Sequence, residues 1–182
     1  PVPFCRLRMR DQDSASIVAC IPNLRRYARG LVADAALADD LVQDTLERAW
    51  SRFSLWQRRG ELRSWMFGIM HNQFIDTVRS AKRRLEDSAG DDLPEVPQRP
   101  SQADGLEVRD LDGALQRLPA EQREVLLLVA VEEMRYAEAA AVLGVPVGTV
   151  MSRLARARER LRQELQGREP SAQASPPLRR IK

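Results

Sequence analysis

The sequence predicts an all-α protein: two small helical domains joined by a flexible acidic linker, the C-terminal one a helix-turn-helix. Three observations predict it. Apolar residues recur at helical spacing through most of the 182 residues, with no convincing strand pattern. A proline-bearing acidic stretch interrupts that periodicity near the middle. Beyond it, Tyr136 to Leu161 reads as a short helix, a tight turn at Gly144-Val145-Pro146 and a second helix rich in arginine.

The elements follow in order. The first helix runs from about Ser14 to Leu31, with Ile17, Ile21, Leu24, Ala28 and Leu31 as its inner face. Asp34 is a good N-cap for a second helix reaching about Phe53, because its carboxylate can accept from the free N–H groups of the first turn. A loop, Ser54 to Gly60, leads to a long helix from about Glu61 to Arg84. After the linker come a helix near Leu106 to Arg117 and another from Pro119 to about Val131. Proline suits that first turn, where its missing N–H costs nothing. The expected organisation is thus a first domain over 14–84, a linker over 85–105, a second domain over 106–166 and a disordered tail over 167–182.

Charge is segregated along the chain. Residues 1–84 carry 15 basic and 9 acidic side chains, residues 85–112 carry 2 and 9, and residues 113–182 carry 12 and 8. Two basic blocks flanking an acidic one fit two polyanion-binding modules on a linker that avoids polyanions. Cys5, Cys20 and the single histidine, His71, cannot assemble a zinc site. His71 sits inside an apolar helical stretch, which favours a structural role over catalysis, and no phosphate loop or activated nucleophile is evident. No apolar run approaches the ~20 residues of a membrane span. The expectation is a cytoplasmic protein that is not an enzyme by itself, takes no cofactor or metal and inserts in no membrane.

Candidate binding residues fall into three groups. In the last helix Val150, Leu154, Ala157 and Leu161 form one buried stripe, while Thr149, Ser152, Arg153, Arg156 and Arg160 lie on a separate polar one. That stripe suits a major groove, where arginine pairs with guanine edges and hydroxyls reach bases or phosphates. On the second helix Asp40, Gln43, Asp44 and Glu47 share a face opposite Leu41, Val42, Leu46 and Ala49; in a DNA-binding protein, such an acidic face invites a basic protein partner. On the third helix apolar residues from Trp65 to Ile75 leave a narrow polar line of Asn72, Asp76, Arg79 and Arg83, with Lys82 and Arg84 beside it and Arg58 and Arg59 in the preceding loop. An amide among aromatics followed by a basic helix end fits an unpaired strand: a base edge for Asn72, phosphates for the arginines.

The order DDLVQDTLERAW, ELRSWMFGIMHNQFIDTVRSAKRR, an acidic linker, LPAEQREVLLLVAVEEMRYAEAAAVLG and VPVGTVMSRLARARERL resembles bacterial RNA polymerase sigma factors, most closely the extracytoplasmic-function group, over about residues 14–165. The resemblance implies that 14–84 is sigma region 2 and 106–166 is sigma region 4. It implies that Asp40, Gln43, Asp44 and Glu47 dock on the clamp of the largest subunit of core RNA polymerase. It further implies that the loop matching Leu55 to Leu62, with Asn72, captures a flipped base of the promoter −10 element. Arg79, Lys82, Arg83 and Arg84 would meet the backbone near the duplex fork, and Ser152, Arg153 and Arg156 the −35 element. An anti-sigma factor is the other partner the family implies. Three positions depart from the pattern: Met151 replaces a commonly basic residue, Glu133 a glycine before the helix-turn-helix, where a longer or more helical turn is expected, and Ala139 a larger aliphatic. Two rivals compete. A plain helix-turn-helix regulator leaves the Asp40–Glu47 stripe and Asn72 without a use. A sigma-like decoy for an anti-sigma factor has no need of the DNA-reading arginines.

Overall fold

The computed structural model describes residues 11–53, 56, 60–87 and 106–166, which are helical throughout apart from short connections. The helices are α1 (Asp11–Leu31), α2 (Ala35–Arg52), α3 (Leu62–Asp87), α4 (Leu106–Gln116), α5 (Ala120–Leu126), α6 (Tyr136–Leu143) and α7 (Val147–Gln166), with a π turn over Leu127–Val131. The expected linker, 88–105 of it, and the expected tail lie outside the described residues.

Local chemistry explains the boundaries. Asp34 caps α2 as expected, accepting from Ala36 N at 2.7 Å and Leu37 N at 3.0 Å. Helix α3 runs three residues past the expected Arg84, through Asp87, because Leu85, Glu86 and Asp87 still permit helix. The helix expected to reach Val131 does so, but its last turn widens: Glu132 N–H bonds to Leu127 O at 2.9 Å, five residues back. Glu133 then takes a left-handed backbone, φ 54°. The glutamate standing in place of a glycine therefore takes a backbone conformation that favours glycine, directly after a turn lengthened by the π bond. Gly144 ends α6 at φ 64°, and Val145 N–H returns to Ala140 O at 3.1 Å.

Helices α1, α2 and α3 pack on one another, as do α4, α5, α6 and α7, yet the two groups share one continuous core. Leu24, Tyr27, Ala28 and Leu31 of α1 and Met66, Phe67 and Met70 of α3 join Val125, Leu127 and Leu128 of the second group. Tyr27 meets Phe67 edge-on, ring centres 5.1 Å apart. The seam between the groups passes so close that a Cβ on Gly30 of α1 would sit 2.6 Å from a Leu127 methyl. Gln116 of α4 donates to Gly30 O at 3.1 Å.

Candidate functional surfaces for DNA and polymerase

Helix α7 carries the first surface. Val150, Leu154 and Ala157 are buried against α5 and α6, which turns the polar stripe outward. Ser152, Arg156 and Arg160 are exposed, and Thr149 is half-buried. The Ser152 hydroxyl donates to Thr149 O at 3.0 Å, a bond a base or phosphate can displace. Arg153 differs from its neighbours: its Nη2 lies 2.6 Å from Glu121 of α5, and its side chain is only 24% exposed. It is held against the helix in front of α7, while Arg156 and Arg160 reach into solvent. Met151 and Val147 add exposed apolar groups to the flank of the same helix.

The second surface is on α3. A concavity of about 560 Å³ opens beside Asn72, lined by Arg52, Glu61, Ser64, Trp65, Gly68 and Ile69. Asn72 itself is exposed at its rim. Trp65 is the aromatic residue in its wall, and from Trp65 an aromatic run continues through Trp56 to Phe53, ring centres 6.1 and 5.5 Å apart. Further along, Arg79 and Arg83 are exposed on the same helix. Lys82 and Arg84 lie on α3 with side chains outside the described ones, and Arg58 and Arg59 lie outside the described residues. The remaining wall of the concavity comes from the other half of the chain: Ala141 and Val142 of α6.

The third surface is the outer face of α2. Ala38, Leu41, Val42, Thr45 and Ala49 are buried, so Asp40, Gln43, Asp44 and Glu47 all project into solvent. Gln43 reaches Glu47 at 3.4 Å, and none of the acids on this stripe has a basic partner among the described residues. Leu37 and Trp50, 54% and 59% exposed, flank the stripe at its two ends.

Residues 109–161 match the family described as Sigma-70, region 4, and residues 17–71 match the Sigma2 domain of PhyR. The chain is 40% identical over 153 residues, 84% of each chain, to the ECF RNA polymerase sigma factor EcfG of Rhodopseudomonas palustris. It belongs to the extracytoplasmic-function sigma factors. Among solved structures, the sigma factor RpoE of Bartonella quintana, in complex with the anti-sigma factor NepR, superposes with TM-score 0.76 at 34% identity, covering 86% of this chain and 98% of that one. The anti-anti-sigma factor PhyR of the same organism, also complexed with NepR, shares the fold at TM-score 0.55 and 20% identity, covering 84% of this chain and 50% of that one.

Sequence reasoning left the sigma factor's most buried charges unnoticed. Glu132, just after the π turn, is fully buried at the seam and holds two arginines from the first group of helices. Arg26 Nε donates to Oε1 at 2.9 Å, and Arg63 Nη2 donates to Oε2 at 2.9 Å and to the Glu132 carbonyl at 2.6 Å. Arg63 also lies over the Phe67 ring, 5.5 Å from its centre. Nearby, His71 Nδ1 sits 2.5 Å from buried Glu124 of α5, so the structural role expected of this histidine is to join α3 to α5. The one available signal was two glutamates, Glu124 and Glu132, bracketing the apolar run VLLLVAV. Among the described residues no group of His, Cys, Asp and Glu is placed to hold a metal ion, and no single helix is long and apolar enough to cross a membrane.

Proposed function

We propose that this sigma factor directs core RNA polymerase to its promoters in two steps, reading the −35 duplex with α7 and then capturing an unpaired −10 base at the α3 concavity. The observation that carries the second step is the concavity itself. A cavity of about 560 Å³ with Asn72 at its rim and Trp65 in its wall has the size and chemistry to hold one extruded base. Extrusion costs a few kcal/mol, and stacking an unpaired base returns ~1–3 kcal/mol. Capture therefore succeeds only when polymerase already holds the DNA. Arg79 and Arg83, with Lys82 and Arg84 on the same helix and Arg58 and Arg59 before it, supply phosphate contacts around the base.

For the duplex, Arg156 and Arg160 are the free donors, with Ser152 and Thr149 beside them. Arg153 is already committed to Glu121 and serves chiefly to fix α7 against α5. The acidic face of α2, unpaired and bordered by Leu37 and Trp50, has the character of a protein interface, with charge for orientation and apolar anchors for affinity. Its partner in this reading is the clamp of the largest polymerase subunit. An anti-sigma factor is the second partner, by analogy with the RpoE–NepR complex. The bond-making chemistry belongs to the polymerase, and the working place is the cytoplasm.

The decoy reading draws on one observation, the match of residues 17–71 to the PhyR domain. Against it stand 40% identity to EcfG and 20% to PhyR, and the exposed Arg156, Arg160, Arg79 and Arg83, for which a decoy has no use. Run-off transcription on fragmented genomic DNA, with core polymerase alone and with this protein added, separates the two. New 5′ ends sharing an upstream motif are expected, and Asn72→Ala is expected to reduce open-complex formation at those promoters while sparing upstream duplex binding. Binding to core without new starts would discard the promoter reading in favour of the decoy.

A further inference from the structure

We infer that Met151 is a base-reading residue: its thioether side chain covers the C5-methyl group of a thymine in the −35 major groove and selects an A·T pair there. The inference rests on the −35 reading of α7 given above and adds a specificity contact to it. Three observations support it. First, α7 presents two adjacent rows of exposed residues at four-residue spacing, Gly148, Ser152 and Arg156 in one and Val147, Met151 and Ala155 in the other. Val147 and Met151 are 42% and 52% exposed, so the helices beneath α7 leave the apolar row uncovered. Second, the row lies in the first half of α7, directly after the turn at Gly144. That is the part of a recognition helix that meets base edges. Third, Met151 and Ser152 are flanked by the smallest side chains on the helix. Gly148 and Ala155 each stand three or four residues from both, and a Cβ on Gly148 would meet nothing within 4 Å. A base edge can therefore come close to the thioether and the hydroxyl together.

Chemistry decides which base pair the row accepts. In the major groove a G·C pair shows the guanine N7 and O6 acceptors and the cytosine amino group, whereas an A·T pair adds the thymine methyl. A thioether donates no hydrogen bond, so covering a guanine edge strips its acceptors of water and leaves them unpaired. Over a thymine methyl the same side chain removes apolar surface from water on both partners. Methionine suits this task because it is unbranched and adapts its shape to the surface it meets. A duplex fits the row better than a protein does. Arg156 and Arg160 are exposed on the same helix, and a protein covering the row would have to bury guanidinium groups that phosphates and guanine edges pair. The selected pair lies within about three base pairs of the guanine assigned to Arg156, because the helix advances roughly 7.5 Å from Met151 to Arg156 and stacked pairs about 3.4 Å.

Holoenzyme assembled from core polymerase and the full chain tests the contact on a promoter duplex found by run-off transcription. Each −35 thymine, on either strand, is replaced in turn by deoxyuridine, which removes the C5-methyl group and nothing else. Wild type is expected to lose about fourfold in affinity at one of these positions, the factor that burying one methyl group gives. Met151→Ala is expected to bind the thymine duplex about fourfold more weakly and to ignore that deoxyuridine. Its salt dependence is expected to match wild type, because no phosphate contact is lost. Met151→Arg is expected to prefer G·C over A·T at the same pair by about tenfold. Wild type that tolerates deoxyuridine at every position, or a −35 element with no A·T pair, overturns the inference. A deoxyuridine effect that persists in Met151→Ala overturns it too, by assigning the methyl contact to another residue. In each of these cases Arg156→Ala decides the fate of the wider reading: lost discrimination between native and scrambled −35 sequences preserves duplex reading by α7, and unchanged discrimination removes it.

Discussion

The two helices proposed to meet DNA, α7 and α3, are built on opposite plans. Helix α7 buries one apolar stripe and presents Ser152, Arg156 and Arg160 outward, so its surface exists whether or not anything else moves. Helix α3 buries Met66, Phe67 and Met70 on one side, meets α6 on another, and shares its concavity with Ala141 and Val142. One surface is formed by a single helix and its neighbours in sequence; the other is completed, and crowded, by residues some seventy positions away. A duplex reader can be preformed because B-form DNA arrives with its groove open. A site for an unpaired strand, as proposed for α3, has no such partner until the duplex melts.

The largest effects come from removing the supports beneath the two helices. Phe67 is fully buried, packs on Tyr27 and lies under the Arg63 guanidinium, so it supports both α3 and the seam. Phe67→Ala is expected to cost about 3–5 kcal/mol and to loosen both groups of helices in hydrogen exchange. Leu154, 2% exposed, belongs to the buried stripe of α7, a helix that packs on α4, α5 and α6. Leu154→Ala is expected to cost about 2–5 kcal/mol, with lost protection confined to α4 through α7. If Leu154→Ala deprotects α1 and α3 equally, the two groups unfold as one unit and the contrast collapses.

The next effect separates arginines within α7. Arg156→Ala is expected to lose about 1–3 kcal/mol of discrimination at the native −35 sequence, and little on scrambled sequences. Arg153→Ala is expected to act less on DNA and more on stability, because Glu121 already holds that side chain. Binding to native and scrambled −35 duplexes is the check: Arg156→Ala is expected to close most of the gap between them and Arg153→Ala to leave it. An equal loss of discrimination in the two variants would show that Arg153 leaves Glu121 for a base edge.

This division tracks what the sequence made visible. The helix-turn-helix was legible because each of its devices is local: Gly144 supplies φ 64°, Pro146 starts α7, and a stripe repeats within four turns. Asp34 was legible as a cap for the same reason. The acidic face of α2 and the polar line of α3 follow from helical periodicity alone. The seam does not, because Arg26 and Arg63 stand 106 and 69 residues from Glu132. Arginines at such positions read as solvated surface, and nothing in their spacing announces a shared carboxylate. His71 could be assigned to structure from its apolar neighbours, but Glu124 as its partner required the fold. The π turn was also hidden, since one extra residue in a ladder leaves the composition of VLLLVAV unchanged.

The smallest expected effect at neutral pH lies at the seam and has no counterpart under α7. Tyr27 is wholly buried, and its hydroxyl has no hydrogen-bond partner among the described residues. Burial first, and then the neighbouring Glu124 and Glu132 carboxylates, push its ionisation well above the usual tyrosine value of 10.0. The folded chain therefore keeps the phenol neutral at a pH where the unfolded chain ionises it. The stability this represents is fully present below pH 10.0 and is lost as pH rises beyond it. Tyr27→Phe keeps the ring against Phe67 and removes an unsatisfied hydroxyl, so at pH 7 it is expected to be within about 1 kcal/mol of wild type. Urea titrations above pH 10 are expected to show wild type weakening and the variant resisting. Parallel losses in the two proteins would mean that the alkaline weakness has another source and that the seam admits a phenolate beside two carboxylates.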